Sequence, residues 1–132
     1  MERIKISSGG PFEAIFGYSR AVRVGPFVYV SGTGPIDKAG KVIGVGDPYK
    51  QAVHVLQTIE HALTQAGADL KDVVRTRIYV TNISAWEDVA KAHSEYFGEI
   101  RPAAIMVEVT RLILPEVLVE IECDAVIAEL KT

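Results

Sequence analysis

The sequence lacks the features that mark disulfide-bonded, secreted and membrane proteins. It contains 1 cysteine in 132 residues, which excludes an intramolecular disulfide and suits a reducing compartment. No apolar run is long enough to span a bilayer, and the opening segment MERIKISSGG has no hydrophobic signal region. We therefore expect a cytoplasmic protein that does not associate with membranes.

The sequence also lacks an excess of positive charge. It has 14 basic and 17 acidic residues, a formal net charge of -3 at pH 7 and a pI of about 5.6. Nucleic-acid-binding surfaces depend on clustered lysine and arginine that neutralise phosphates. The composition therefore gives no reason to expect a nucleic-acid partner, and a ribonuclease is the function with the least support from charge.

Motifs for metals and cofactors are missing as well. His54, His61 and His93 do not have the spacing of metal ligands, and there is no cysteine pair to complete a zinc site. The glycines between residues 32 and 46 do not form a phosphate-binding motif. We expect neither a metal nor an organic cofactor. Cys123 falls on the apolar face of a strand and is expected to be a buried, unactivated thiol.

The residues that are present predict one α+β domain over residues 1–132. A hydrophobic fraction of 48% with 23% charged residues is typical of a globular protein of this length. The residue patterns predict strands at 3–6, 18–24, 27–31, 41–45, 73–81, 104–110 and 119–126, and helices at 48–66 and 84–97. This order favours a single mixed sheet with both helices packed on one face.

Both helices carry terminal signals. Asp47 is a favourable N-cap, Pro48 at the first helical position costs no hydrogen bond, and Gly67 suits a left-handed C-terminal cap. Ser84 and Glu87 have the spacing of a capping box, in which each side chain satisfies a backbone N–H near the helix start. The second helix is therefore predicted to begin at Ser84.

The predicted strands at 73–81 and 119–126 alternate between two kinds of side chain, so each has two distinct faces. One face is expected to be apolar and covered by the helices, and it includes Val74, Ile78, Val119 and Ile121. The other face carries Arg75, Arg77, Glu120, Glu122 and Asp124. These complementary charges predict that sheet faces of several subunits pack together. The alternative is a charged face in contact with solvent.

Three segments of the sequence resemble a known family. GYSRAVRVG, VYVSGTGPI and VEIECDAV, with RPA ahead of the preceding strand, are similar in sequence and spacing to the RidA/YjgF/UK114 family. The resemblance covers nearly the whole chain. It implies a small homotrimeric protein with ligand sites in clefts between subunits. Several members hydrolyse reactive enamines and imines, and some were earlier described as endoribonucleases.

The resemblance also implies a set of site residues. Glu120 matches the glutamate that helps to position the attacking water, and Tyr18 matches the site tyrosine. Ser31 and Gly32 match the serine–glycine pair at the end of the hairpin. Met106 occupies the position whose backbone carbonyl meets the substrate nitrogen. The alternative for Glu120 is an ion pair with an arginine of the trimer face.

One position departs from the family pattern. Family deaminases place an arginine two residues after the proline of the PA motif, where it binds the substrate carboxylate through two parallel hydrogen bonds. This sequence has Ala104 there. Arg20 is the candidate for compensation, because it lies two residues after Tyr18 and is expected to share its face. The alternative is that Arg20 pairs with the acidic strand at the interface.

The sequence therefore leaves two main functions open. The first is a homotrimer that binds a small anionic metabolite, such as a carboxylate or imine, in inter-subunit clefts. It would hydrolyse enamines or imines by water attack, with Arg20 holding the acid group and Glu120 ordering the water. The second is a family member that keeps the fold but only binds a ligand or stabilises a partner. An endoribonuclease is the third.

Overall fold

The computed structural model describes residues 1–128, and within this range it contains six strands and three α-helices. The strands are β1 (Arg3–Ile6), β2 (Ala21–Val24), β3 (Phe27–Thr33), β4 (Val73–Val80), β5 (Ala103–Glu108) and β6 (Val119–Val126). The α-helices are α1 (Pro11–Phe16), α2 (Pro48–Gln65) and α3 (Trp86–Phe97). Single 3-10 turns occur at Leu70–Asp72 and Ile83–Ala85.

All six strands form one mixed sheet in the order β1-β2-β3-β6-β4-β5. Only β4 and β5 are parallel among these neighbours. The long helices α2 and α3 pack against each other and against one face of the sheet. The core between them includes Leu56, Ile59 and Leu63 of α2 and Val28 and Ile121 of the sheet. The predicted α+β sheet with two helices on one face is confirmed.

Helix α2 forms where its terminal signals predicted it. The Asp47 side chain accepts a hydrogen bond of 3.0 Å from the backbone N–H of Lys50. At the other end Gly67 has a φ of +85°, a left-handed conformation that glycine adopts without steric cost. The residues of α2 that face the sheet, such as Leu56, Ile59 and Leu63, are fully buried, so the predicted apolar face of the helix packs on the core.

The start of α3 differs from the prediction. Ser84 and Glu87 do not form a capping box. Instead the Asn82 side chain accepts a hydrogen bond of 3.0 Å from the backbone N–H of Ser84, which begins a 3-10 turn. Helix α3 then begins at Trp86 without a side-chain cap. The asparagine cap takes precedence because it satisfies an earlier backbone donor.

The predicted inward position of Val74 is also wrong. A β-bulge interrupts the pairing of β4 with β6 between Val73 and Arg75. An extra residue in one strand reverses the alternation at that point. Val74 is therefore 48% exposed, whereas Val73 is buried.

Helix α1 was not predicted. It spans Pro11–Phe16 and ends at Gly17, which has a φ of +90°. A helix this short has too few residues to show a periodic apolar pattern. Strand β2 begins at Ala21 and not at Tyr18 as predicted, so Tyr18 and Arg20 lie in the connection between α1 and β2.

The connection between β3 and α2 is mostly loop, as predicted. Residues 41–45 do not form the predicted strand, since Val42 pairs with Ile36 only through an isolated bridge. The Asp37 side chain accepts two backbone N–H hydrogen bonds within this loop, each 2.9 Å long. These bonds stabilise the turn between Asp37 and Lys41.

The sheet face opposite the helices is open and carries the predicted charges. Arg77 of β4 donates a hydrogen bond of 3.2 Å to Asp124 of β6, and this ion pair is one-third exposed. Exposed apolar side chains occupy the same face. They are Phe27 and Tyr29 of β3 and Ile105 and Val107 of β5.

Candidate functional site

A cavity of about 600 Å³ lies beside the ends of β3 and β6. The predicted site residues Tyr18, Arg20, Ser31, Gly32 and Glu120 all line it. Helix α1 and the loop after β5 complete its walls. Its volume is within the range of small-molecule sites in proteins. The structure thus brings most of the sequence-predicted residues into one cavity.

Arg20 is built into the wall of this cavity. Its Nη1 donates to the carbonyl of Gly32 at 2.8 Å and to Thr33 Oγ1 at 3.0 Å, and its Nη2 donates to the Tyr18 hydroxyl at 3.0 Å. The guanidinium also lies 5.2 Å from the Tyr18 ring centroid. Arg20 is 7% exposed. It therefore fixes the end of β3 and the position of Tyr18.

Ser31 is held in a similar way. Its hydroxyl donates a hydrogen bond of 2.6 Å to the carbonyl of Ser19. A backbone hydrogen bond of 2.9 Å from Ser31 N–H to the Arg20 carbonyl reinforces the same contact. The side-chain proton of Ser31 is therefore used to join β3 to the segment that carries Tyr18.

Glu120 is a half-buried carboxylate of the cavity. Burial raises the pKa of Glu120, the positive charge of Arg20 partly offsets this effect, and the negative charge of Glu122 adds to it. A Cβ placed on Gly32 would lie 2.7 Å from Glu120 Oε2, so this close approach requires glycine. A carboxylate with a raised pKa that faces a cavity can accept a proton from water near neutral pH.

The other acidic residues near Glu120 already have partners. The Tyr79 hydroxyl donates a hydrogen bond to Glu122 Oε1, and this bond raises the pKa of Tyr79. Asp124 is paired with Arg77, and Asp37 accepts its two loop hydrogen bonds. Among residues 1–128, no side-chain hydrogen bond engages the Glu120 carboxylate. Glu120 is therefore the cavity carboxylate that is available to a ligand or water.

Ala104 and Met106 lie in a different part of the molecule. They line a separate cavity of about 220 Å³ between β5 and α3. His93 also lines this cavity, with its Nε2 2.9 Å from Thr76 Oγ1, and burial lowers the pKa of His93. A single chain does not bring Ala104 and Met106 to Glu120.

Several lining residues escaped the sequence analysis. The missed residues include Phe12 and Phe16 of α1, Ile36 of the loop after β3, and Arg111, Leu112 and Ile113 after β5. The segment PFEAIF followed by glycine contained a usable signal, because proline starts and glycine ends short helices. The position of Arg111 had no local signal, since it depends on how the loop after β5 reaches the cavity.

Cys123 has no role in the cavity. It is fully buried, and this burial raises the pKa of its thiol to about 12, with smaller contributions from Asp124 and Glu122. The predicted burial of this thiol is confirmed. In the range 1–128, no group of three or more His, Cys, Asp or Glu residues is arranged to hold a metal ion. No helix of the same range has the length and apolarity needed to cross a membrane.

Comparison with known proteins identifies relatives over most of the chain. A family model described as endoribonuclease L-PSP matches residues 10–127. A RutC family protein of Pyrococcus abyssi is 41% identical over 108 residues, which are 82% of this chain and 84% of that protein. The 3-aminoacrylate deaminase RutC of Acinetobacter baylyi is 40% identical over 104 residues, which are 79% of this chain and 82% of that protein.

Solved structures give the same result. A member of the YjgF/YER057c/UK114 family from Mycobacterium tuberculosis shares 54% identity, with a TM-score of 0.85 over 95% of this chain and 99% of that chain. The YjgF gene product of E. coli shares 30% identity, with a TM-score of 0.81 over 93% of this chain and 98% of that chain. Because the family model spans almost the entire sequence and the relatives cover most of it, this chain belongs to the RidA/YjgF/UK114 family.

Proposed function

We propose that this protein hydrolyses enamine or imine derivatives of small carboxylic acids. The observation that carries the proposal is the half-buried carboxylate of Glu120, which faces a cavity of about 600 Å³ without a side-chain partner among residues 1–128. The relative from Acinetobacter baylyi that is named a 3-aminoacrylate deaminase supports a substrate of this class.

The reaction needs only water and a proton carrier. An enamine first takes a proton on carbon and loses one from nitrogen, so it becomes an imine. Glu120 accepts a proton from a water molecule, and the water oxygen attacks the imine carbon as the C=N double bond opens and nitrogen takes up a proton from solvent. Glu120 then returns its proton to the amine nitrogen of the carbinolamine, the C–N bond breaks to release ammonia, and the hydroxyl proton passes to solvent as the C=O double bond of an oxo acid forms. The Glu120 carboxylate is thereby regenerated.

We propose that the working unit is a homotrimer. The open sheet face combines charged residues with exposed apolar side chains, which is typical of a surface between subunits. Within one chain Ala104 and Met106 line a cavity other than that of Glu120. The resemblance, however, assigns all three to one site. A site between subunits would bring Ala104 and Met106 of one copy towards Glu120 of another, which supports the assembly.

The alanine at position 104 favours a second candidate, a ligand-binding protein without turnover. A bidentate arginine–carboxylate contact contributes on the order of 1.5–3 kcal/mol, about ten- to a hundredfold in affinity or rate. Without it we expect hydrolysis of 2-aminoacrylate to be slow or absent. An endoribonuclease is the least supported alternative, because the net charge is -3 and three carboxylates, those of Asp37, Glu120 and Glu122, line the cavity.

The test is a direct hydrolysis assay. An amino-acid oxidase generates imines from a series of amino acids, semicarbazide traps the imine that remains, and the protein competes for it. A pyridoxal-phosphate dehydratase supplies 2-aminoacrylate in a parallel assay. The proposal requires faster imine decay with the parent protein than with Glu120→Gln. Equal decay for both, combined with measurable binding of oxo acids, would favour the ligand-binding candidate.

A further inference from the structure

We infer that the cavity selects carboxylates with a hydrophobic side chain, and that Arg111 binds the carboxylate group. The inference rests on the proposed function for the location of the site. It concerns which acid is recognised and by which residue. Neither point follows from the sequence, which pointed to Arg20 as the group that holds the acid.

Arg20 is poorly suited to bind a ligand. Its guanidinium already donates to the Gly32 carbonyl, Thr33 Oγ1 and the Tyr18 hydroxyl at 2.8–3.0 Å. Its Nε points to Ser8 Oγ at 3.4 Å. A ligand carboxylate would have to displace contacts that hold the end of β3, and the 7% exposure of Arg20 leaves little surface for it.

Arg111, in contrast to Arg20, is well placed to bind a ligand. It lies in the loop after β5, lines the same cavity as Glu120 and is exposed. Within residues 1–128 it takes part in neither of the ion pairs, Lys71–Asp69 and Arg77–Asp124. A guanidinium that is free of protein partners can offer two parallel donors to a carboxylate.

Because of the negative charges around the cavity, an acidic ligand needs a cation such as Arg111 in order to bind. Asp37, Glu120 and Glu122 line the cavity together with Arg20 and Arg111. A second carboxylate entering near Glu120 would be repelled unless a cation offsets it. Because Arg20 is committed to the wall, the positive charge available to the ligand is that of Arg111.

The rest of the cavity wall is apolar. Phe16 is 76% exposed and Ile113 is 55% exposed, although both are large hydrophobic residues. Both line the cavity, and Phe12, Ile36 and Leu112 continue the same wall. A three-carbon acid would leave most of this surface in water, whereas a branched side chain would cover it. The wall therefore predicts a preference for branched acids over pyruvate-sized ones.

Calorimetric measurement of the binding of stable oxo acids tests both the role of Arg111 and the preference for a hydrophobic side chain. Such measurements do not rely on turnover. The probes are 4-methyl-2-oxopentanoate, its uncharged amide, and pyruvate. We expect the parent protein to bind the branched acid about tenfold or more tightly than the amide or pyruvate. Arg111→Gln should remove the preference for acid over amide, and Arg3→Gln, an exposed arginine outside the cavity, should keep it. Phe16→Ala should reduce the preference for the branched acid over pyruvate.

Two results would overturn the inference. An Arg111→Gln protein that still prefers the acid over its amide would show that another cation holds the carboxylate. A parent protein that binds pyruvate as tightly as the branched acid would show that the apolar wall does not contact the ligand. Neither result depends on hydrolysis. The proposed reaction is tested separately, by comparing the turnover of Glu120→Gln with that of the parent protein.

Discussion

The carboxylate of Glu120 lies so close to Gly32 that a β-carbon at position 32 would be 2.7 Å from Glu120 Oε2. Gly34 is on the same segment and lines the same cavity, but the nearest atoms to an added β-carbon there are at least 3.5 Å away. Neither glycine has a positive φ. The two positions therefore differ in the space they leave for Glu120 and not in backbone strain.

We predict that Gly32→Ala lowers imine hydrolysis about tenfold or more while the melting temperature changes little. The added methyl group meets the flexible end of Glu120, which can move away at low cost to stability, but a shift of about 1 Å misplaces the attacking water. Gly34→Ala is the matched control and should retain parental rates. Equal rates for the two variants would show that the position of Glu120 relative to Gly32 does not affect catalysis.

Glu120→Gln is predicted to reduce turnover by about a hundredfold or more and to increase stability at neutral pH. Burial raises the pKa of Glu120 above its unfolded value, so its contribution to stability is present at low pH and is lost as the pH rises through the folded pKa. The urea midpoint of the variant should exceed that of the parent at pH 7, and the difference should vanish near about pH 4. A less stable variant at pH 7 would mean that the ionised carboxylate makes stabilising contacts.

The contribution of His93 to stability should depend on pH in the opposite sense to that of Glu120. Burial lowers the pKa of His93, so the stability that neutral His93 contributes is present above the unfolded pKa of about 6.5 and is lost as the pH falls through the folded pKa. Relative to His93→Gln, the parent should lose stability between about pH 7 and pH 5. Glutamine is the appropriate replacement because it can still hydrogen-bond Thr76 Oγ1. Parallel pH profiles for the two proteins would contradict this account.

Cys123 is predicted to be inert in the folded protein. Its thiol is fully buried, and its pKa of about 12 leaves almost no thiolate at neutral pH. A disulfide reagent such as Ellman's should therefore label native protein no faster than the chain unfolds, and should label it at once in denaturant. Rapid labelling of native protein would show that β6 opens locally.

The features predicted correctly from sequence are those set by neighbouring residues. The alternation of Val119, Ile121 and Cys123 with Glu120 and Glu122 follows from the two-residue period of a strand, and β6 keeps this pattern over its whole length. The caps of α2 are likewise set by residues that are close to the helix ends in the sequence. Such rules hold wherever no distant contact competes with them.

The features that sequence analysis missed depend on distant contacts. The bulge at Val74 reflects the pairing of β4 with β6, which no segment of β4 encodes by itself. Tyr18 and Arg20 lie before β2 and not on one strand face as expected, although Arg20 does donate to the Tyr18 hydroxyl. The bonds of Arg20 to Gly32 and Thr33 depend on how β3 lies against the preceding connection. The same applies to Arg111, which reaches the cavity only through the fold of the loop after β5.

The final prediction concerns assembly through the open sheet face. Glu122 lies in the middle of this face, opposite Arg77 in register, and accepts the hydrogen bond from the Tyr79 hydroxyl. A lysine there would place a like charge beside Arg77 and remove an acceptor, so Glu122→Lys should weaken subunit contacts. Glu60→Lys on the exposed side of α2 makes the same charge change away from the face and serves as the control. Light scattering at micromolar concentration should give three times the monomer mass for the parent and for Glu60→Lys, and a smaller mass for Glu122→Lys. A monomer mass for the parent would rule out the trimer and, with it, a site shared between subunits.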